Sequence, residues 1–325
     1  MYAEDRKVYH PAPAEWIHPV YSSKIEDVAH DNCVLRELCN EDYTGELKGF
    51  GSELIIRTMP EIEVHDWIPD TEFIPQRPTS PAIRLKVGRA WEASFVIDDW
   101  DEMNSDIKGW VSKWATKLGP AVAEKQEAEY FLELPAFAGP KNQGQAAGRY
   151  KSFHLGDISN PLKIRSDNKG YAAADNSIDA TQLMLDAETV HSEVEGAGEA
   201  QKWIVVPKAY LNMVRKNEIW EKAAYSGDSQ SILRKDVLAA GQLGVGGFKV
   251  YATNHLKPVR YTEAGRPVFA LPFGDKRGVT YVPLFDRVDI KDEPKKVGVK
   301  YQVHTGGYDW KCIHPEFMGV CYVEL

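Results

Sequence analysis

Between Asp98 and Leu134 apolar residues recur at Met103, Ile107, Val111, Trp114 and Leu118, with Trp110 beside them, and resume at Val122 and Phe131. Steps of three and four place them on one stripe, which predicts a single long amphipathic helix. Asp98 and Asp99 stand at N-cap positions, and Asp101 and Glu102 add negative charge where the helix dipole favours it. Gly119-Pro120 interrupts the pattern. Proline lacks an amide hydrogen and crowds the preceding turn, so a kink is expected there, not an end. At about 1.5 Å per residue the helix would span roughly 50 Å, a length that suits a strut better than a compact domain.

A period of two marks the stretches on its N-terminal side. In Leu54 to Ile68, Ile62 and Val64 alternate with Glu61, Glu63 and His65; in Ala82 to Ala90, Ile83, Leu85 and Val87 alternate with Arg84 and Lys86. Both read as half-exposed strands whose opposite charges favour antiparallel pairing. Pro69, Pro75, Pro78 and Pro81 stiffen the link between them, giving a two-stranded ribbon with a proline-rich tip. An isolated ribbon is marginal in water, so it must lean on another surface, either a neighbour's or its own domain's. Residues 1–44 space Tyr2, Tyr9, Trp16 and Tyr21 among Pro11, Pro13 and Pro19, with a short helical piece from Ile25 to Cys39. Such a segment has no core of its own and is expected to be docked.

Beyond the long helix, Ala138 to Gly148 is a loop by composition, and Tyr150 to Ala174 is irregular. Ser177 to Glu195 reads as a helix with Ile178, Leu183, Leu185 and Val190 apolar. Trp203 to Val206 suits a buried strand, with Pro207 then at a first helical position and Tyr210, Leu211 and Val214 on one helix face ending near Asn217. A further helical piece surrounds Ile219 to Tyr225, and glycines lead into a strand from Phe248 to Ala252 that ends at Thr253-Asn254. After Gly278 the alternation of Val288 and Ile290, then of Val297, Val299, Tyr301 and Val303, predicts strands. Gly306-Gly307 reads as a turn before a last strand, Tyr308 to Leu325, interrupted at His314-Pro315.

Composition narrows the function. The net charge is −9 with no lysine or arginine block, so no basic patch marks a protein that grips nucleic acid through phosphates. No apolar run approaches the ~20 residues of a membrane span. Met1 to His10 lacks a signal-peptide hydrophobic region, which fits cytosolic synthesis. Cys33, Cys39, Cys312 and Cys321 form no CxxC pair and no zinc spacing, and are expected as buried reduced thiols. Glycines 241–247 precede a strand where a dinucleotide fingerprint needs a helix, and no GK[ST] is present. The histidines make neither HExxH nor HxH; His304 and His314 read as strand-surface and turn residues. The acids at 98, 99, 101 and 102 are explained by capping, against a carboxylate pair or cation site. Trp67, Trp91, Trp100, Trp110 and Trp114 suit a core or an interface. No catalytic residue, cofactor or metal is expected.

Three stretches carry a family resemblance. WIVVPKAYLNMVRKNEIW and YSGDSQSILRKDVLAAGQLGVGGFKVYATNHL place Gly241, Gly244, Gly247, Phe248, Val250, Tyr251, Thr253, Asn254 and Leu256 in a G-x-x-G-x-x-G-F-x-V-Y-x-(S/T)-N-x-L pattern after a strand ending in VP. VIDDWDEMNSDIKGWVSKWATKLGPAVAEKQEAEYFLEL and YDWKCIHPEFMGVCYVEL flank it, the latter with Tyr308-Asp309 where tyrosine-glycine is usual. In this order the elements resemble the major capsid proteins of tailed bacteriophages.

The resemblance implies an α+β Johnson fold. Its parts would be an N-terminal arm (1–44), an extended β-hairpin loop (45–97), a peripheral domain with the spine helix (98–150 and 279–325) and an axial domain (151–278). It further implies a structural, non-enzymatic subunit that assembles into hexamers and pentamers of an icosahedral virion shell around double-stranded DNA, made in the host cytoplasm. The expected partners are copies of itself, a scaffolding protein, a portal and a possible decoration protein, with weak non-specific contact to packaged DNA and no membrane. Contacts between subunits are assigned to Trp16, Tyr21, Trp67, Phe73, Arg84 and Lys86 of the arm and the ribbon. A cellular nanocompartment shell of the same fold is the alternative, and a soluble α/β enzyme a more remote one.

Overall fold

The computed structural model describes residues 33–44, 53–57, 82–86, 88–98, 110–167, 169–194, 201–216, 247–292 and 299–325, with residues 46, 62, 64–66, 75, 196, 197, 244 and 245 between them. The helical piece expected around Ile219 to Tyr225 and residues 1–32 of the arm lie outside the described residues.

A ribbon forms from β1 (Glu53–Arg57) and β2 (Ala82–Lys86), paired antiparallel from Glu53 opposite Lys86 to Arg57 opposite Ala82. It is shorter than the alternation predicts: Ile62 and Val64 carry no strand. The predicted second strand also divides. After Gly88 the chain begins a separate strand, β3 (Arg89–Asp98), which pairs with a different sheet. Asp98 therefore ends a strand, opposite Val299.

The long helix α1 is described from Trp110 to Glu133 and runs through Pro120 without ending. Leu118 and Val122 pack against the core, and Tyr130, Phe131 and Leu134 are buried in it. Residues 99–109, including the expected caps, lie outside the described residues.

Two sheets lie against this helix. One has the strand order β5-β4-β13-β10-β6-β8-β7, with β9 paired to β10. Its strands are β4 (Leu162–Arg165), β5 (Ser177–Asp179), β6 (Lys202–Pro207), β7 (Gly244–Val245), β8 (Phe248–Thr253), β9 (Arg260–Tyr261), β10 (Pro267–Asp275) and β13 (Met318–Glu324). The other has the order β11-β12-β3, where β11 is Val279–Asp292 and β12 is Val299–Cys312. One contiguous core joins both sheets to α1, to α2 (Ala180–Ser192) and to α3 (Lys208–Arg215).

Local chemistry fixes these elements. Asp179 accepts the amides of Thr181 and Gln182 and starts α2, so Ser177 to Asp179 is strand and not helix. On α2 the buried positions include Leu183, Met184, Ala187, Val190 and His191, whereas Leu185 is exposed. β6 is buried at Trp203 to Pro207, as its unbroken apolar run predicts. Pro207 is the N-cap of α3 and not its first residue, and Tyr210, Leu211 and Val214 form the buried face. The helix ends at Arg215.

Gly306-Gly307 does not turn the chain; both sit inside β12. Gly306 lies beneath the indole of Trp91 across the β12–β3 pair, where an added Cβ would fall 2.4 Å from the indole nitrogen. Glycine there makes room for a tryptophan. The break before the last strand is as expected, a 3-10 turn over Pro315–Phe317. His304, predicted at the strand surface, is 7% exposed.

Candidate assembly surface and the junction beneath it

Among the described residues, the ribbon leans on its own domain through one face of its root. Ile56 and Leu85 are buried, and Leu85 meets Val282 in a small cluster with Tyr43, Leu54 and Leu284. Ile55, at 51% exposure, faces out, and beyond the paired segment Ile62 and Val64 are 82% and 92% exposed. Apolar side chains so fully hydrated lack a partner within the described residues of the chain. Arg84 and Lys86 are exposed on the outer face; Arg84 lies 3.7 Å from Glu53, a solvent-screened pair that adds little stability. Cross-strand charge pairing is thus present through Glu53, while Glu61 and Glu63 lie outside the described residues. Trp16, Tyr21, Trp67 and Phe73 lie outside the described residues.

Where the ribbon ends, Arg89 locks the chain to the long helix. Its guanidinium donates to both carboxylate oxygens of Glu133 at 2.6 and 2.7 Å, and to Asp309 at 3.3 Å. It stacks 4.1 Å from the ring of Trp310, whose indole N–H donates to Glu133 at 2.9 Å. Burial alone would push the Glu133 carboxyl up, but the hydrogen bonds from Arg89 and Trp310 hold it below the usual carboxylate range. Tyr308 donates to Glu129 one helical turn away. The direction in which the ribbon leaves is therefore set by β3, β12 and α1 together.

A second junction lies under the arm. One helical turn, Leu35–Leu38, buries both its leucines in the core, and Asn40 bridges Thr280 while exchanging hydrogen bonds with Val279 and Tyr281. The turn is seated on Glu127 of α1, which is 0% exposed. Its Oε2 accepts the amides of Val34 and Leu35, and its Oε1 accepts from Thr253 at 3.3 Å and lies 2.8 Å from Nδ1 of His255. A fully buried carboxylate needs such partners, since leaving it unpaired costs several kcal/mol, roughly. Sequence reasoning missed this group because its members are far apart in the chain. One signal was present: Glu127 stands three residues before Tyr130 and four before Phe131, on the helix face those rings occupy.

The four cysteines are free thiols, but only Cys39 and Cys321 are buried, while Cys33 and Cys312 are partly exposed. Burial pushes the Cys39 thiol up to about 12 and Cys321 higher still, which leaves neither as a nucleophile near neutral pH. His191 is buried beside Asp275, 4.0 Å away, and burial pushes its pKa down although Asp275 pulls it up. The turn at Gly247 (φ +77°) leads into β8 and opens no helix, so the glycine cluster has no phosphate cradle among the described residues.

No protein-family model and no curated protein matches the chain. Solved structures do match, end to end on both sides. The capsid of cyanophage P-SCSP1u aligns with a TM-score of 0.64 at 14% identity over 96% of this chain and 93% of its own. The capsid of Ralstonia phage GP4 aligns with a TM-score of 0.62 at 12% identity over 99% and 98%. A structure from Mycobacterium phage Che8 aligns with a TM-score of 0.59 at 14% identity over 94% and 96%. With the ribbon root, the long helix and the two sheets described above, the chain has the α+β fold of the tailed-phage major capsid proteins.

Proposed function

We propose that this chain is the major capsid protein of a tailed phage, a structural subunit that assembles as hexamers and pentamers into an icosahedral shell around double-stranded DNA. The observation that carries the reading is the near-complete coverage of phage capsid structures in both directions. The hydrated apolar residues of the ribbon and the absence of a basic block in the sequence support it. A container that packages DNA works best when its inner face does not bind the polymer tightly.

In this reading the arm is 1–44, the extended loop 45–97, the peripheral domain 98–150 with 279–325, and the axial domain 151–278. The arm (Trp16, Tyr21) and the loop (Trp67, Phe73, Arg84, Lys86) contact neighbouring subunits. Head-to-tail contacts of this kind close into rings when the rotation permits. A scaffolding protein, a portal and a decoration protein are the further proposed partners, and the virion is the proposed location, reached by assembly in the host cytoplasm.

Negative-stain microscopy and sedimentation of the purified chain test the proposal. Capsomers or closed shells are expected, and a chain that stays monomeric at high concentration overturns it. Deleting residues 67–82 is expected to leave a folded lobe that no longer closes shells; normal shells from that variant refute the role given to the loop. Shells that carry cargo peptides in place of DNA in their native host would assign the chain to a nanocompartment instead.

A further inference from the structure

We propose that Cys33, Glu127 and His255 form a binding site for a divalent transition metal of the zinc class, which fastens the arm to the long helix and to the end of β8. One ligand atom from each of the three side chains lies within 4.8 Å of the other two. Thiolate, carboxylate and imidazole are the ligand types that zinc selects. Metal–ligand bonds of about 2.0–2.3 Å place ligand atoms roughly 3.5 Å apart in a tetrahedron. Cys33, within 4.8 Å of both other ligand atoms, closes up to meet that spacing, while Nδ1 of His255 and Oε1 of Glu127, now 2.8 Å apart, part slightly.

Charge favours the metal. Glu127 is fully buried, and its only ionisable partner at ion-pair distance among the described residues is His255. A divalent cation bound by one carboxylate, one thiolate and one neutral imidazole makes the cluster electrically neutral, which is the arrangement a low-dielectric site tolerates best. Binding displaces the Cys33 thiol proton to solvent, and neutral His255 changes tautomer: the proton that Nδ1 donates to Oε1 of Glu127 is given up there and carried on Nε2, which leaves Nδ1 to coordinate. No electron is transferred.

The surroundings are those of a supported site. Oε2 of Glu127 is held by the amides of Val34 and Leu35. The Thr253 hydroxyl donates to Oε1 and accepts the His255 amide at 3.1 Å, fixing both ligands from one side. Such outer contacts orient ligands before the metal arrives. Cys33 also lines a solvent-open groove of about 860 Å³ beside α1, which gives an ion its way in and a water the fourth position. The inference is independent of the shell reading, because metal content is a property of the single chain.

The test uses the full-length chain purified without chelator, dialysed against zinc or cobalt(II), and assayed by elemental analysis and absorption spectroscopy. The expected result is about one metal per chain, with a cobalt spectrum showing thiolate charge transfer and the strong visible bands of tetrahedral coordination. Cys33→Ser and His255→Gln are expected to abolish stoichiometric binding, and Thr253→Val to weaken it about tenfold or more. Chelator is expected to lower the melting temperature of the parent chain and leave that of Cys33→Ser unchanged. A folded parent chain that retains no metal overturns the proposal, as does binding that survives both ligand substitutions. The cobalt spectrum of the parent needs no variant to fold, and bound cobalt without thiolate character also overturns the proposal.

Discussion

Arg89 grips Glu133 through two hydrogen bonds, at 2.6 and 2.7 Å, at the point where the ribbon becomes β3. The pair joins a strand to the last turn of the long helix, so it fixes an angle as well as a contact. One nitrogen, Nη2, serves both carboxylate oxygens, and the stacked Trp310 further sets the pair apart from an ordinary surface pair.

Replacing Arg89 with methionine keeps the stem and removes the fork. Because both partners are partly solvated, a loss of about 1–2 kcal/mol is expected in denaturant unfolding. The pH dependence has a definite sign. Glu133 is held below its ordinary value, so its contribution is fully present above the unfolded carboxylate pKa and fades as pH falls through the folded one. The Arg89→Met chain is expected to show a flatter acid limb than the parent; equal limbs would remove the ion pair from the account.

Gly306 under Trp91 makes a steric prediction. Gly306→Ala sets a methyl group 2.4–2.6 Å from indole atoms that cannot move without disturbing the β12–β3 pair. Destabilisation of about 1–3 kcal/mol is expected. Trp91→Leu destabilises by itself, yet in a double-mutant cycle the two changes should cost less together than their sum. Strict additivity in thermal unfolding would show that the indole does not press on this glycine.

These residues also show where a sequence is readable. Trp203 to Val206 and the face of Tyr210, Leu211 and Val214 were legible because an unbroken apolar run and a helical period each have one cheap solution. Pro120 was read correctly as internal, since the apolar stripe continues past it. β3 was missed although Trp91, Ala93 and Phe95 alternate inward against Glu92, Ser94 and Val96. The aspartates that follow resemble helix caps and announce a helix, and the strand before it went unassigned. Gly306-Gly307 looked like a turn because glycine answers two demands, a tight bend or a close neighbour, and only the partner strand reveals which. Glu127 belongs to the same class. A charged residue on a buried stripe announces a partner without naming it, and Val34, Thr253 and His255 arrive only with the fold.

His191 gives a second pH test. Its ring is buried against Phe248, and desolvation lowers its pKa more than Asp275 raises it, with Lys202 and Arg277 adding to the lowering. The unfolded chain therefore binds a proton that the folded chain resists. Stability is unaffected above the ordinary histidine value of about 6.5, falls as pH drops below it, and levels off under the depressed folded pKa. His191→Phe is expected to remove this loss, measured as melting temperature between neutral and mildly acidic pH. An unchanged profile would place the acid sensitivity elsewhere.

The outer face of the ribbon separates folding from assembly. Arg84 and Lys86 are exposed, and the only ion pair of Arg84 among the described residues is the weak one to Glu53. Reversing both charges, Arg84→Glu with Lys86→Glu, should change unfolding free energy by about 0.5 kcal/mol or less, as for surface sites generally. Under the proposed function the same pair of changes faces a neighbouring subunit built to receive positive charge, and like charges set opposite one another oppose docking. The expected outcome is a chain with parental thermal stability whose micrographs show few or no closed shells. Because subunit docking of this kind is electrostatic, raising the salt concentration should restore part of the yield. Shells that form at the parental yield in low salt would relieve Arg84 and Lys86 of any part in the contact, and would shift attention to the hydrated apolar pair Ile62 and Val64, whose exposure is the larger unexplained feature of the ribbon.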